Sequence, residues 1–330
     1  MRSSPFPDAE VHRPLAAALR GRFGGARVRK IALDAGFTCP NIDGTVARGG
    51  CVFCSNASFH PGPIPDRRPV AEQLRAGIER ERSRKRPRPA EVFLAYFQTF
   101  TNTHAPIERL ERLWDEALSV EGVAGLVVGT RPDCLPEPVL ARLEAIAATG
   151  RFVALEIGLE SADDATLAFV NRGHDVACFV DAVRRAAGRG LDLSAHVIFG
   201  FPGDVDARVA STADLLAALP LDGLKLHHLH VVRGTALEGM HARGEFAPPA
   251  RADYVRWIAG FIERVPSSFA IHRLVATTPA RFLVAPEWTL DAPAVAREIL
   301  AALAARGSWQ GRLVSDRAPA TRDRAACSGP

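Results

Sequence analysis

No stretch of this 330-residue chain approaches the ~18 consecutive apolar residues that a membrane-spanning helix needs. The opening residues, Met1-Arg2-Ser3-Ser4-Pro5-Phe6-Pro7-Asp8-Ala9-Glu10, lack the apolar core of a secretion signal, which predicts a cytoplasmic protein with no membrane partner. Cysteine is scarce. Six in a chain of this length do not make a disulfide framework, and that fits a reducing compartment. Lysine is scarcer still: only Lys30, Lys85 and Lys225 occur, and the rest of the positive charge is arginine. In such an Arg-rich chain a lone lysine is more informative than a lone arginine. The net charge of +4 and the pI near 8.9 suit an anionic partner and specify none.

Three of the six cysteines are gathered together. Cys39 is followed after eleven residues by Cys51 and after two more by Cys54, with Gly44, Thr45, Gly49 and Gly50 between them. Glycines let the backbone bend back and aim three sulfurs at one point. Converging thiolates call for a metal. A structural zinc site closes with four protein ligands, and His60 or Cys134 is available to complete one. An iron–sulfur cube held by three cysteines keeps one iron open instead. Phe53, just before the third cysteine, offers a flat ring to the cluster or to a bound adenine.

The chain then alternates. Short apolar runs at 28–33, 91–96, 125–129, 152–158, 193–199 and 223–229 read as strands, separated by amphipathic helical patterns. One such pattern places Val70, Leu74 and Ile78 on one helix face. Six strand–helix units predict an α/β fold with a parallel sheet covered on both faces, as a partial (β/α)6 TIM-type barrel. The predicted organisation is a lead-in at 1–27 with a short helix near 13–20, the barrel at 28–235, a short α+β extension at 236–306 and a disordered tail at 307–330. The cysteine loop occupies 37–56. Polar residues follow the strands: Gln98 after the second, Thr130-Arg131-Pro132-Asp133 after the third, Glu160-Ser161 after the fourth. In α/β barrels that rim carries the chemistry. On the sixth strand Lys225 and His227 share one face, so both are candidates to meet a substrate inside the barrel. The run from Arg80 to Arg88 is basic; it reads as a contact for RNA phosphates or as a solvated helix end.

With these residues in view, the chain resembles the radical S-adenosylmethionine (SAM) superfamily and, within it, the YhcC-like proteins. The carriers are the long first gap of the cysteine loop, Tyr96-Phe97-Gln98-Thr99-Phe100-Thr101-Asn102-Thr103, Gly129-Thr130-Arg131-Pro132-Asp133 and Asn171-Arg172-Gly173-His174-Asp175. Thr130 to Asp133, Asn171 to His174, Ala195-His196, Leu224-Lys225 and Val232-Arg233-Gly234-Thr235 also resemble the radical SAM domain of the elongator catalytic subunit, which acts on the tRNA wobble uridine. Only about 95 residues follow the barrel's end at 235, fewer than the elongator's acetyltransferase domain is expected to need.

The resemblance implies a 4Fe–4S cluster on Cys39, Cys51 and Cys54, with SAM on the open iron. Gln98 would lie near the SAM amino group, although the family's Gly-Gly-Glu motif is absent. Glu160 would bind the ribose hydroxyls, Arg172 would pair with the carboxylate, and His196 would lie near the ribose or adenine. Thr130 and Arg131 join the cofactor-binding set. The implied activity is reductive SAM cleavage to a 5′-deoxyadenosyl radical, with an electron donor such as flavodoxin or ferredoxin and tRNA as the favoured substrate. A small metabolite or a peptide is the alternative substrate. A zinc- or cluster-stabilised RNA-binding protein is the non-enzymatic alternative.

Overall fold

Six apolar runs become six parallel strands: β1 (Arg27–Leu33), β2 (Glu91–Phe97), β3 (Val123–Thr130), β4 (Phe152–Glu160), β5 (Asp192–Phe199) and β6 (Gly223–His228). The structure is a computed structural model that describes residues 4–6, 10–58, 62, 65–83 and 91–314. His60, residues 84–90 of the basic stretch and Cys327 lie outside the described residues, whereas Arg80 and Arg82 end the helix Val70–Arg82. The strands lie in chain order, each hydrogen-bonded in parallel to the next, so helices must cross back over one face.

The period-2 geometry of a strand sorts β4 into two faces. Val153, Leu155, Ile157 and Leu159 join the large core between sheet and helices. Phe152 and Ala154 belong to a small cluster inside the barrel, and further along that face Glu156, Gly158 and Glu160 line a cavity. The other elements complete this layering. The helix Leu15–Arg22 inserts Leu19 among Leu94, Tyr96, Val127 and Phe152, and so stops the N-terminal end of the barrel. A third cluster (Val170, Ile198, Phe201, Leu229 and Leu237, against Val52 and Phe53) packs at the other end. The polar interior lies between these apolar layers.

The structure adds detail to the extension expected at 236–306: β8 (Ala270–Arg273) pairs in parallel with β6 and extends the sheet to seven strands. The short β7 (Val231–Val232) and β9 (Leu283–Ala285) form a separate antiparallel ribbon. The predicted disorder of the tail begins too early. In residues 307–314, Gln310 is fully buried and donates to the carbonyls of Pro266 and Phe269 at 2.6 and 2.9 Å while accepting from the Arg13 amide at 2.9 Å. A buried amide side chain satisfied on three sides ties the segments around Arg13 and Gln310 to the chain leading into β8.

Candidate active site

The cysteine loop is stitched to the segment after the helix Asp164–Phe169. Asn41, fully buried, donates through Nδ2 to the carbonyls of Asn171 and Arg172 at 2.5 and 2.8 Å. Asn171 returns bonds to the carbonyls of Arg48 and Gly50 at 3.0 and 2.8 Å, and the Val52 amide donates to Val170 at 3.1 Å. Gly173 makes this close approach feasible. Its φ is +74°, and an added Cβ would lie 2.7 Å from Asn41 Oδ1 and 2.9 Å from Val46 Cγ1. Gly173→Ala should therefore cost about 1–3 kcal/mol and loosen the loop. The measurement is thermal unfolding together with iron bound per chain after reconstitution; both should fall.

The three thiols face one cavity and act on one another. Cys54 is open to that cavity but walled by protein; dehydration first, then the Cys51 and Cys39 sulfurs, push its thiol up to about 12. Bringing a thiol raised in this way to the thiolate state requires strong local positive charge, which iron supplies. Among the described residues no three His, Cys, Asp or Glu side chains stand close enough to hold one metal ion. Three thiols lining one cavity, with Cys39 and Cys51 near enough to act on Cys54, fit a cube whose separate irons each take one sulfur.

Above the loop, Arg172 sits 7% exposed. Its Nη2 donates to the Gly158 carbonyl at 2.9 Å and lies 3.3 Å from Glu160 Oε1, while Nη1 is 3.8 Å from Cys51 Sγ. Gly158 leaves room for the pair, since a Cβ there would lie 2.4 Å from both Arg172 Nη2 and Glu160 Oε1. Burial opposes the Arg172 charge, but Glu160 and the cysteine sulfurs outweigh it and raise its pKa. Burial raises Glu160, against the lowering pull of Arg172. Glu160 also holds φ +70°, a left-handed conformation that is strained for a side-chain-bearing residue. Arg172 Nε donates to His174 Nε2 at 2.9 Å, and burial holds that imidazole neutral with a pKa near 4. The Arg131 guanidinium donates to Asp133 at 2.9 and 2.7 Å and to the Arg172 carbonyl at 2.7 Å, so it braces the segment that carries Arg172. Thr130 Oγ1 is hydrogen-bonded to Thr103.

Deeper in the barrel a second constellation converges on Glu156, whose side chain is fully buried. Its Oε2 accepts from Tyr96 Oη at 2.6 Å, Lys225 Nζ at 2.7 Å and His196 Nε2 at 3.0 Å. Its Oε1 accepts from Lys30 Nζ at 2.6 Å and lies 3.4 Å from His272 Nδ1. Burial alone would raise the Glu156 pKa; Lys225 and Lys30 overcome it and hold the carboxyl well below its usual range. Burial pulls Lys225 down to about 8 against the pull of Glu156, and holds His196 near 3 and His272 near 4. His227, also driven neutral by burial, stands beside Arg273.

All eleven residues singled out in the sequence (Cys39, Cys51, Cys54, Gln98, Thr130, Arg131, Glu160, Arg172, His196, Lys225 and His227) line one cavity of about 270 Å³. Phe53 lines it too, packed on Phe201 with ring centroids 5.9 Å apart. His196 is held by Glu156, so it sits in the deep network as well as in the wall. Sequence reasoning missed Tyr96, Glu156, His272 and Arg273. A carboxylate inside a strand read as wholly apolar was the available signal for Glu156, because a buried charge needs a partner. Two of the three lysines in the chain meet there.

A model of the Radical SAM superfamily matches residues 43–216, and a model of the Radical_SAM C-terminal domain matches residues 221–305. The uncharacterized protein YtqA of Bacillus subtilis is 34% identical over 317 residues, covering 95% of this chain and 97% of its own. Protein YhcC of Escherichia coli K12 is 38% identical over 264 residues, covering 80% and 83%. A tRNA uridine(34) acetyltransferase of Dehalococcoides mccartyi is 29% identical over 164 residues, which are 49% of this chain and 35% of that protein. The solved structure of the archaeal Methanocaldococcus infernus Elp3 superposes with a TM-score of 0.63 at 19% identity, over 86% of this chain and 64% of that one, and so shares the fold. No helix among the described residues is long and apolar enough to cross a membrane. The chain belongs to the radical SAM superfamily, among the YhcC-like proteins related to the elongator radical SAM domain, and its cofactors are a 4Fe–4S cluster and S-adenosylmethionine.

Proposed function

We propose that this protein is a radical SAM enzyme that modifies the side chain of the wobble uridine in tRNA. The observation that carries the substrate is the 29% identity to a tRNA uridine(34) acetyltransferase over 49% of this chain. When bound and reduced by a donor such as flavodoxin or ferredoxin, the cluster supplies the electron that cleaves SAM and starts hydrogen abstraction from the substrate.

The positions of the chain's own residues in the cavity support the following roles. Cys39, Cys51 and Cys54 hold the cluster at the rim. Arg172 is a fixed guanidinium beside Cys51, suited to a carboxylate in bidentate fashion. Glu160, strained and turned into the cavity, accepts from ribose hydroxyls. Gln98 and Thr130 add polar contacts from the ends of β2 and β3. Arg131 acts as a positioning residue by bracing the Arg172 backbone. Lys225 and His227 face the substrate from β6; burial and the neighbouring Arg273 keep the His227 imidazole neutral, so it offers a hydrogen-bonding ring and no charge. The apolar layers at both ends of the barrel exclude water from the reacting groups.

Mass spectrometry of tRNA nucleosides tests the substrate. A strain lacking the gene should lose one modified uridine, or accumulate its precursor, and regain the wild-type profile on complementation. An unchanged nucleoside profile would overturn the tRNA reading and leave a small metabolite or a peptide as the substrate.

A further inference from the structure

Among the described residues, Glu160 is paired with Arg172 near the rim, and the deeper part of the barrel interior carries more positive charge than its carboxylate, Glu156, can balance. Lys30, Lys225 and Arg273 bring three cationic groups, and Glu156 is the acid that the two lysines share. The imidazoles of His196, His227, His230 and His272 are held neutral by burial. Arg273 is the unbalanced member. Among the described residues it has no ion-pair partner within 4.0 Å: its Nη2 lies 2.6 and 2.9 Å from the two ring nitrogens of His227, which offers a lone pair and no charge. Its Nε is buried without an acceptor. Lys225, its register neighbour on β6, spends two of its three protons on Glu156 and Tyr96, at 2.7 and 2.6 Å. Both side chains line the cavity, together with His230 and Thr277. They stand on β6 and β8, whereas the cysteines, Glu160 and Arg172 stand on the loop after β1, at the end of β4 and after the helix Asp164–Phe169.

We infer that the β6–β8 side of the cavity is an anion subsite, in which Arg273 and Lys225 hold an oxyanion, a phosphate or a carboxylate, carried by the substrate. A desolvated guanidinium with open donors is costly until an anion arrives, and its planar fork matches two oxygens at once. The remaining Lys225 proton is available for a third contact. The inference rests on the radical SAM reading only in assigning SAM to the cysteine side, and it does not require a tRNA substrate.

The test is thermal unfolding of the cluster-reconstituted protein saturated with SAM, so that the SAM carboxylate is not the anion scored. Inorganic phosphate, acetate, uridine 5′-monophosphate and uridine are added at constant ionic strength. An oxyanion should raise the unfolding midpoint in a saturable way, since a ligand of the native state alone stabilises it by mass action. Phosphate acting more strongly than acetate identifies a phosphate site, and the reverse order identifies a carboxylate site. Arg273→Met should raise the midpoint without anion, by removing an unbalanced charge, and abolish the anion-dependent rise. Arg273→Lys should keep a smaller rise, and Arg142→Gln on the surface should keep the full one. A rise that survives Arg273→Met, or no rise with either anion in the native protein, would overturn the inference. Uridine 5′-monophosphate acting no better than phosphate would support the subsite and count against the uridine substrate.

Discussion

Glu156→Ala should lower the stability of the folded protein by about 3–5 kcal/mol, the usual cost of leaving a buried charge without its partner. Lys225 is 9% exposed, and its ammonium bonds only Glu156 and Tyr96 among the described side chains. With the carboxylate gone, Lys225 keeps one hydroxyl, Lys30 loses its 2.6 Å partner, and two neutral histidines lose an acceptor or a close neighbour. Glu156→Gln keeps the shape and part of the bonding, so its loss should be smaller. The pH dependence has a definite sign. The folded pKa lies below the unfolded carboxylate value of about 4.3, so the contribution is complete at neutral pH and disappears as the pH falls through the folded pKa. Denaturant titrations of the two proteins should differ most near neutrality and converge in acid. A Glu156→Ala variant as stable as the native protein at pH 7 would show that the two lysines do not depend on this carboxylate.

Cys51→Ala should abolish the chemistry while sparing the barrel. Cys51 is a small buried side chain in the rim loop, whereas the sheet–helix core is built from other residues. With two sulfurs left, the cube loses a corner, so reconstituted variant should lack the broad absorbance near ~400 nm of cysteine-ligated iron–sulfur centres. SAM cleavage under reductant should fall to the protein-free background. Iron content, absorbance and 5′-deoxyadenosine release check this together, with circular dichroism as the control for folding. Full cleavage by a folded Cys51→Ala protein would remove Cys51 from the ligand set.

Much of this site was legible in the sequence because its residues come in short local units. Cys51 and Cys54 are separated by only two residues, and Arg172 lies in a five-residue motif. The first six strands are continuous apolar runs because both faces of the sheet are covered, and this made those six readable. That same property hid Glu156. In Phe152-Val153-Ala154-Leu155-Glu156-Ile157-Gly158 one charge among apolar neighbours resembles an interruption, and only the packed barrel brings Lys30 and Lys225 to it from 126 and 69 residues away. Arg273 was hidden differently. Its segment follows a long helix and reads as part of an extension, yet β8 pairs with β6 across nearly fifty residues of chain and carries the side chain into the cavity. The stitching of Asn41 to Asn171 is likewise tertiary, joining positions 130 residues apart.

We propose that three cysteines of this cavity hold a cluster that opens SAM. Anaerobic reconstitution with iron and sulfide, followed by metal analysis and a single assay for 5′-deoxyadenosine, tests it most directly. The predicted result is four irons per chain, no bound zinc, and 5′-deoxyadenosine formed from SAM only when reductant is present. A colourless protein that holds one zinc per chain and releases no 5′-deoxyadenosine would contradict it.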